Sequence, residues 1–289
     1  MADTALAQAD TGADFRRVEL PSVGKEVLRL GVAGNYGLSS ADLAYAAERG
    51  MNYWLWGWTF RKVTPVLKEL CAREREKHVV AVLDNVFLKG GPRRGVEKAL
   101  RKLGTDYVDI LKLGWLGVGS RLSGGILETL VKLKEEGKVR SFGCSIHDRG
   151  RAAELVKDSP LDTFMLRYNA KHPGAETDIF PHLAERNPSV ITYTATSWRQ
   201  LLRPLKDVEM PPWPGDTGGQ AMPPLTGPLC YRFCLTSPHV HLVLTGPKTR
   251  EQLDENLQAL EEGPLSADEL AWVRQYGALV KQKKRLDYV

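Results

Sequence analysis

No apolar run in the sequence approaches the eighteen or so residues that a membrane-spanning helix requires, which excludes a helical membrane anchor. Nor does the opening stretch, "MADTALAQADTGADF", contain the apolar core of a secretory leader. The expectation is a cytoplasmic protein with a loose tail over residues 1–15 and one folded unit from 16 to 289. Cysteine is scarce: Cys71, Cys144, Cys230 and Cys234 are all there is, so free thiols in a reducing compartment fit better than a disulfide framework. Cys230 and Cys234 share a helix face without a second pair. His239 and His241 lack a third ligand, so no metal site is expected.

Dense positive charge is missing too. The net charge of +5 is spread along the chain, and only "KQKKR" near the end is concentrated. No aromatic residues alternate with those lysines, which argues against nucleic-acid binding. The glycines of "GVAGNYG" have the wrong spacing for a dinucleotide fingerprint. No exposed heptad marks an oligomer interface, and the oligomeric state stays open.

What is present is a regular alternation. "RVELPSVGKEVLRLG" reads as a hairpin turning near Val23-Gly24-Lys25. Eight short apolar strands follow: "VLRLGVAG", "MNYWLW", "VVAVLDNV", "YVDILKLG", "VRSFGCS", "TFMLRYN", "SVITYTAT" and "VHLVLTG". Between them stand helical stretches with apolar residues at i, i+3 and i+4, among them Arg149–Lys157, 177–186, 224–235 and Arg250–Glu261. This pattern predicts an α/β fold, a single (β/α)8 TIM barrel with an N-terminal β-hairpin. A long loop after strand 7, "SWRQLLRPLKDVEMPPWPGDTGGQAMPP", and an extra C-terminal helix are additions to it. Active sites in such barrels lie at the C-terminal strand ends.

The hairpin, "GMNY", "LGTDYVDILKLGW", "EEGKVRSFGCS", Tyr168-Asn169 and "LTGPKTREQLDENL" occur in an order and spacing that resembles the aldo-keto reductase family, from about residue 17 to about 263. The resemblance implies catalysis by an Asp, a Tyr, a Lys and a His, with NADPH as hydride donor. Matching the motifs places Leu55, Phe60, Asp84 and Gly114 at those four positions. All four are replaced, and a phenyl ring cannot donate a proton. The resemblance further implies that Ser145 and Tyr193 hold the nicotinamide, although Ile146 and Met165 stand where Asn and Gln are usual. Gly246, Lys248, Arg250, Glu255 and Asn256 fall on the segment for the phosphates and adenine, so NADP(H) is the implied cofactor with its nicotinamide half degraded.

Other residues at these strand ends are candidates for chemistry. Alternation from position 114 turns Lys112 inward. It would be an ion pair with Asp84, or a lysine of lowered pKa that forms a Schiff base, or an outward side chain if the register slips by one. His147 would transfer protons or cap the following helix. Arg167 would grip a carboxylate or phosphate, or form a salt bridge at the rim. Tyr36 is a further candidate acid; Trp58, Phe60 and Trp198 would line a substrate pocket. Trp198 and Trp213 would close over a flat ligand or pin the long loop. With Leu55 inward, Trp54 and Trp56 should face the helices.

Three functions fit. One is a divergent oxidoreductase of this family that binds NADP(H) and acts on a small aromatic or anionic molecule. The second is a cofactor-independent lyase or isomerase using Asp84, Lys112 and His147. The third is a non-catalytic regulatory pseudoenzyme.

Overall fold

The computed structural model describes residues 14–84, 91–116, 122–205, 210–214 and 225–286, with side chains as far as 283. The expected N-terminal tail, apart from Asp14 and Phe15, and much of the long loop after the seventh barrel strand lie outside these residues.

Strands β1 (Arg17–Leu20) and β2 (Lys25–Leu28) pair antiparallel. Gly24 makes the turn at φ +61°, a left-handed conformation that costs glycine least. The hairpin covers one end of a closed barrel. Ser22 donates its N–H to Ser189 Oγ (3.0 Å), and Thr163 Oγ1 meets Ser22 Oγ (3.0 Å). The barrel strands are β3 (Leu30–Ala33), β4 (Tyr53–Trp56), β5 (Val79–Asp84), β6 (Val108–Leu113), β7 (Val139–Ile146), β8 (Thr163–Arg167), β9 (Ser189–Tyr193) and β10 (Leu242–Thr245). All pair parallel, and β10 returns to β3 to seal the sheet.

Around the barrel lie α1 (Ser40–Glu48), α2 (Val63–Glu74), α3 (Gly91–Leu103), α4 (Gly124–Glu135), α5 (Arg149–Lys157), α6 (Ala175–Asp178), α7 (Gly227–Thr236), α8 (Arg250–Glu261) and α9 (Ala267–Leu286). The helix expected over 177–186 does not form. Its place is taken by the single turn α6 and a 3₁₀ turn, Phe180–His182, because Pro181 cannot donate to a helical ladder.

Alternation along each strand divides the core in two. Tyr53, Leu55, Ala81, Ile110, Met165 and Leu242 fill the barrel, whereas Trp54, Trp56, Val80, Val82 and Leu111 pack outward against the helices. The two outward indoles keep their N–H groups satisfied, Trp54 on His78 Nδ1 (3.2 Å) and Trp56 on Thr64 Oγ1 (3.0 Å). At the hairpin end the fully buried Asp109 accepts from Arg75 (2.7 Å) and from the N–H of Val80 (2.8 Å), and Lys25 stands 3.0 Å away. Burying a carboxylate without such partners would be costly.

The same alternation corrects one sequence expectation. Val79, Ala81 and Leu83 point into the barrel, so Asp84 points out, its carboxylate lying against Gly95 of α3. Leu83, not Asp84, faces the interior at the end of β5.

Candidate active site

A cavity of about 480 Å³ opens at the C-terminal ends of the barrel strands. One wall is apolar: Leu55 from β4, Phe60 just beyond it, Leu83 from β5 and Met165 from β8. Leu55 and Phe60 stand at two of the four positions where the family resemblance implies acid machinery, and none of the four side chains of this wall is ionisable. Gly114, beyond the end of β6, is buried and adds no side chain.

The polar wall lies across the cavity. Ser145 at the end of β7, His147 just beyond it and Tyr193 at the end of β9 all line the space. The Tyr193 hydroxyl lies 2.9 Å from His147 Nε2 and 3.2 Å from Nδ1, so it is hydrogen-bonded to the imidazole. Trp115 stacks on the imidazole with centroids 5.0 Å apart, and Tyr193 meets it edge-on at 5.6 Å. The histidine is thus fixed on two sides. Burial, then the nearby Arg167, hold its pKa below the ordinary 6.5, so it is uncharged at neutral pH. Burial pushes the Tyr193 phenol up to about 12, against a hydrogen bond from Ser145 that lowers it. His147 does not cap the next helix: Asp148 does, accepting from the N–H of Arg151 (3.0 Å).

Lys112 points into the barrel but below the cavity. Its side chain is fully buried, and its Nζ lies 5.2 Å from the centre of the Tyr53 ring without a hydrogen-bond partner. The expected ion pair with Asp84 is absent because Asp84 faces the other way. Burial lowers the amine to about 7, partly offset by the Cys144 thiol. Asp84, Lys112 and His147 therefore do not converge, and the triad required by a cofactor-independent lyase is not assembled.

The mouth carries aromatic and basic groups. Tyr36 lies across Gly246, where a Cβ would come within 2.5 Å of its ring, so only glycine permits this contact. Trp198 stands over Tyr36 at 6.5 Å and is 63% exposed. Trp58 is not part of the cavity; Lys98 of α3 covers its ring at 4.6 Å. Trp213 packs edge-on to Trp272 of α9 (5.2 Å), which pins its loop to that helix.

A dinucleotide needs cations for its phosphates, and the lining supplies Lys248 and Arg199, with no carboxylate among the described lining residues. Lys248 stands just ahead of α8, whose N-cap Thr249 accepts from Gln252. These groups and the Tyr193 ring face fit such a cofactor. Arg250, Glu255 and Asn256 lie outside the cavity. Arg250 pairs with Asp42 (3.1 Å), and Asn256 donates to Thr245 Oγ1 (3.0 Å) behind Gly227.

Sequence reasoning missed Trp115, Arg199, Thr194 and Tyr231. Three of them sit at left-handed backbone positions, Trp115 at φ 55°, Thr194 at φ 59° and Arg199 at φ 68°. Nothing in strand or helix periodicity signals such loop residues.

The aldo/keto reductase family model matches residues 37–207, more than half of the chain. The NADH-specific methylglyoxal reductase of Escherichia coli (strain K12) is 25% identical over 213 residues, which cover 61% of each chain. The uncharacterized oxidoreductase YqkF of Bacillus subtilis (strain 168) is 26% identical over 207 residues, covering 62% of this chain and 63% of that one. The chain thus matches these curated relatives over less than two thirds of their length. In fold it is similar to the aldo-keto reductase AKR11C1 of Bacillus halodurans in its apo form, with TM-score 0.74, 23% identity, and coverage of 90% of this chain and 95% of that one. The holo form gives TM-score 0.74 at 22% identity, covering 90% and 96%. Sealed barrel, hairpin plug and strand-end cavity agree with the family match, and the protein belongs to the aldo-keto reductase family.

Proposed function

We propose that the protein is an NAD(P)H-dependent reductase of small carbonyl compounds in which His147 and Tyr193 together replace the proton-donating machinery of the family. The observation that carries this reading is the 2.9 Å contact between Tyr193 Oη and His147 Nε2 inside the strand-end cavity. Lys248 and Arg199 would hold the cofactor phosphates, and Ser145 with the ring face of Tyr193 would hold its nicotinamide. When bound, the dinucleotide supplies hydride.

The chain's own residues then have three tasks. Leu55, Phe60, Leu83 and Met165 keep water from the reacting carbonyl and strengthen every polar interaction beside it. Stacking on Trp115 keeps the imidazole from swinging out to solvent. The pair keeps a proton at the cavity wall: the phenol stays protonated at neutral pH, and the uncharged imidazole can accept one proton as it releases another. Phe60 leaves that role to them.

The test is NADH and NADPH binding by titration, followed by cofactor oxidation with small aldehydes and ketones. Micromolar binding with turnover is expected, and His147→Ala or Tyr193→Phe should lower kcat by about 100-fold or more. Absence of binding at millimolar cofactor would remove the reading. Unchanged turnover in both variants would remove the pair from the mechanism.

A further inference from the structure

The end of β8 holds a guanidinium that the reductase reading leaves unused. Arg167 pairs in register with Tyr193 on β9, and Leu166 pairs with Ile146 on β7. His147, Arg167 and Tyr193 therefore stand in one row at the ends of three consecutive strands. Neighbouring strands lie about 4.8 Å apart. Among the described residues Arg167 has no carboxylate partner, whereas the nearby Arg149 is paired with Asp178.

Arg167 does not line the main cavity itself but borders a small second pocket of about 10 Å³ that shares His147 with it and is lined by Arg149, His172 and the apolar Ile146, Leu166 and Ile179. A space of that size takes about one water-sized polar group. Its surroundings are basic: burial, then Arg167, Lys171, Lys281 and Arg149, push His172 down to about 4.

We propose that Arg167 anchors the substrate carboxylate, and that the substrates are 2-oxo acids, whose carboxylate is bonded directly to the reacting carbonyl carbon. The proposal rests on the reductase reading and deepens it. A carboxylate held by the planar guanidinium, one group of it reaching into the small pocket, leaves the adjoining ketone oxygen one strand spacing from the His147–Tyr193 pair. The net reaction takes hydride on the carbonyl carbon and a proton on its oxygen, giving a 2-hydroxy acid and oxidised nicotinamide. Among the described residues lining either pocket, none is a carboxylate that would oppose the anion. Arg167 is a substrate-binding residue in this scheme, with the hydrogen-bonded pair supplying the proton.

The experiment compares phenylglyoxylate with its methyl ester, which presents the same ketone without the charge, as substrates of the full-length protein with NADH and NADPH. The wild type should favour the acid in kcat/KM by about 30-fold or more, as expected for a charge-assisted contact. Arg167→Met should collapse that ratio toward one while ester reduction and the thermal melt persist, and Arg167→Lys should restore part of it. Equal use of acid and ester by the wild type would overturn the proposal and leave the reductase reading standing. So would an Arg167→Met variant that loses both substrates equally or weakens only the cofactor. Calorimetric binding of phenylglyoxylate separates the remaining cases. Arg167-dependent binding without turnover retains the anchor and sinks the reductase reading, and absence of binding overturns the anchor.

Discussion

An amine without a hydrogen bond inside a sealed barrel must either shed its proton or weaken the fold, and Lys112 is held in that position. The unfolded chain keeps the proton up to about 10.5, whereas the folded barrel releases it near 7. Between those values the unfolded state binds more protons, so stability rises with pH across that window. Below 7 both states are protonated and the full cost remains. We expect the melting temperature of the wild type to climb from pH 7 to pH 9.5 relative to Lys112→Met. At pH 7 the methionine variant should be the more stable by about 2 kcal/mol, because it fills the same space without a charge. Thermal melts of both proteins at the two pH values check this. A wild-type curve parallel to that of the variant would mean that the amine is hydrated inside the barrel. The same residue shows what sequence reasoning reached. Alternation read from position 114 turned Lys112 inward, and it is inward. On β5 motif matching put Asp84 in the pocket one residue out of register, and "VVAVLD", apolar at every position before its end, offers no alternation to check the match against.

The elements carrying the site are set by local signals of unequal strength. Helix α5 begins where Asp148 accepts from the Arg151 N–H, and the adjoining residue is His147. Asp148→Ala should cost about 1 kcal/mol, read as a lower urea midpoint at unchanged slope, and Asp148→Ser should recover most of it. Had the alanine variant kept the wild-type midpoint, the cap would be without energetic weight. In the loop after β9, Ser197, Trp198 and Arg199 have φ of 50°, 55° and 68°, three non-glycine residues in succession on the left-handed side. Conformations of this kind cost of order 1 kcal/mol each and persist where packing over-determines them. Trp198 and Arg199 both line the cavity, so the strain is spent on placing an aromatic ring and a cation at the mouth. This was beyond the sequence: composition marked the loop as long and aromatic, but no residue pattern encodes a left-handed run without glycine. The lost helix at 177–186 was within reach, since Pro181 is visible in the string.

At the scale of the whole molecule, the barrel could be read because eight strands and their helices alternate over most of the chain. The family followed from motif order. The composition of the cavity could be read only in part, since it joins strand ends with loops that obey no period. Acid sensitivity is also a property of the whole. His172 and His241 are both held at about 4, mainly by burial, against an ordinary 6.5. Their depressed values mean that the unfolded chain takes up protons first, so the stability they represent is present above 6.5 and is lost as pH falls toward 4. The melting temperature should therefore drop over that interval. His241→Asn, which can still accept from the N–H of Val190 that now meets Nδ1 at 3.1 Å, should shorten the drop. A flat profile from 6.5 to 4 would show that neither imidazole is shielded.

The seam that seals the barrel joins β3 to β10, and Arg29 fastens it by donating to the carbonyls of Leu235, Val240 and His241. These partners lie 206 to 212 residues from Arg29. On the ribosome, this seam must therefore wait until β10 has been made, although β3 can pair with β4 much earlier. Until then the nascent sheet carries two raw edges and an arginine that has Phe15 to hold but lacks its three late carbonyls, so the emerging chain depends on late closure and on protection from its neighbours.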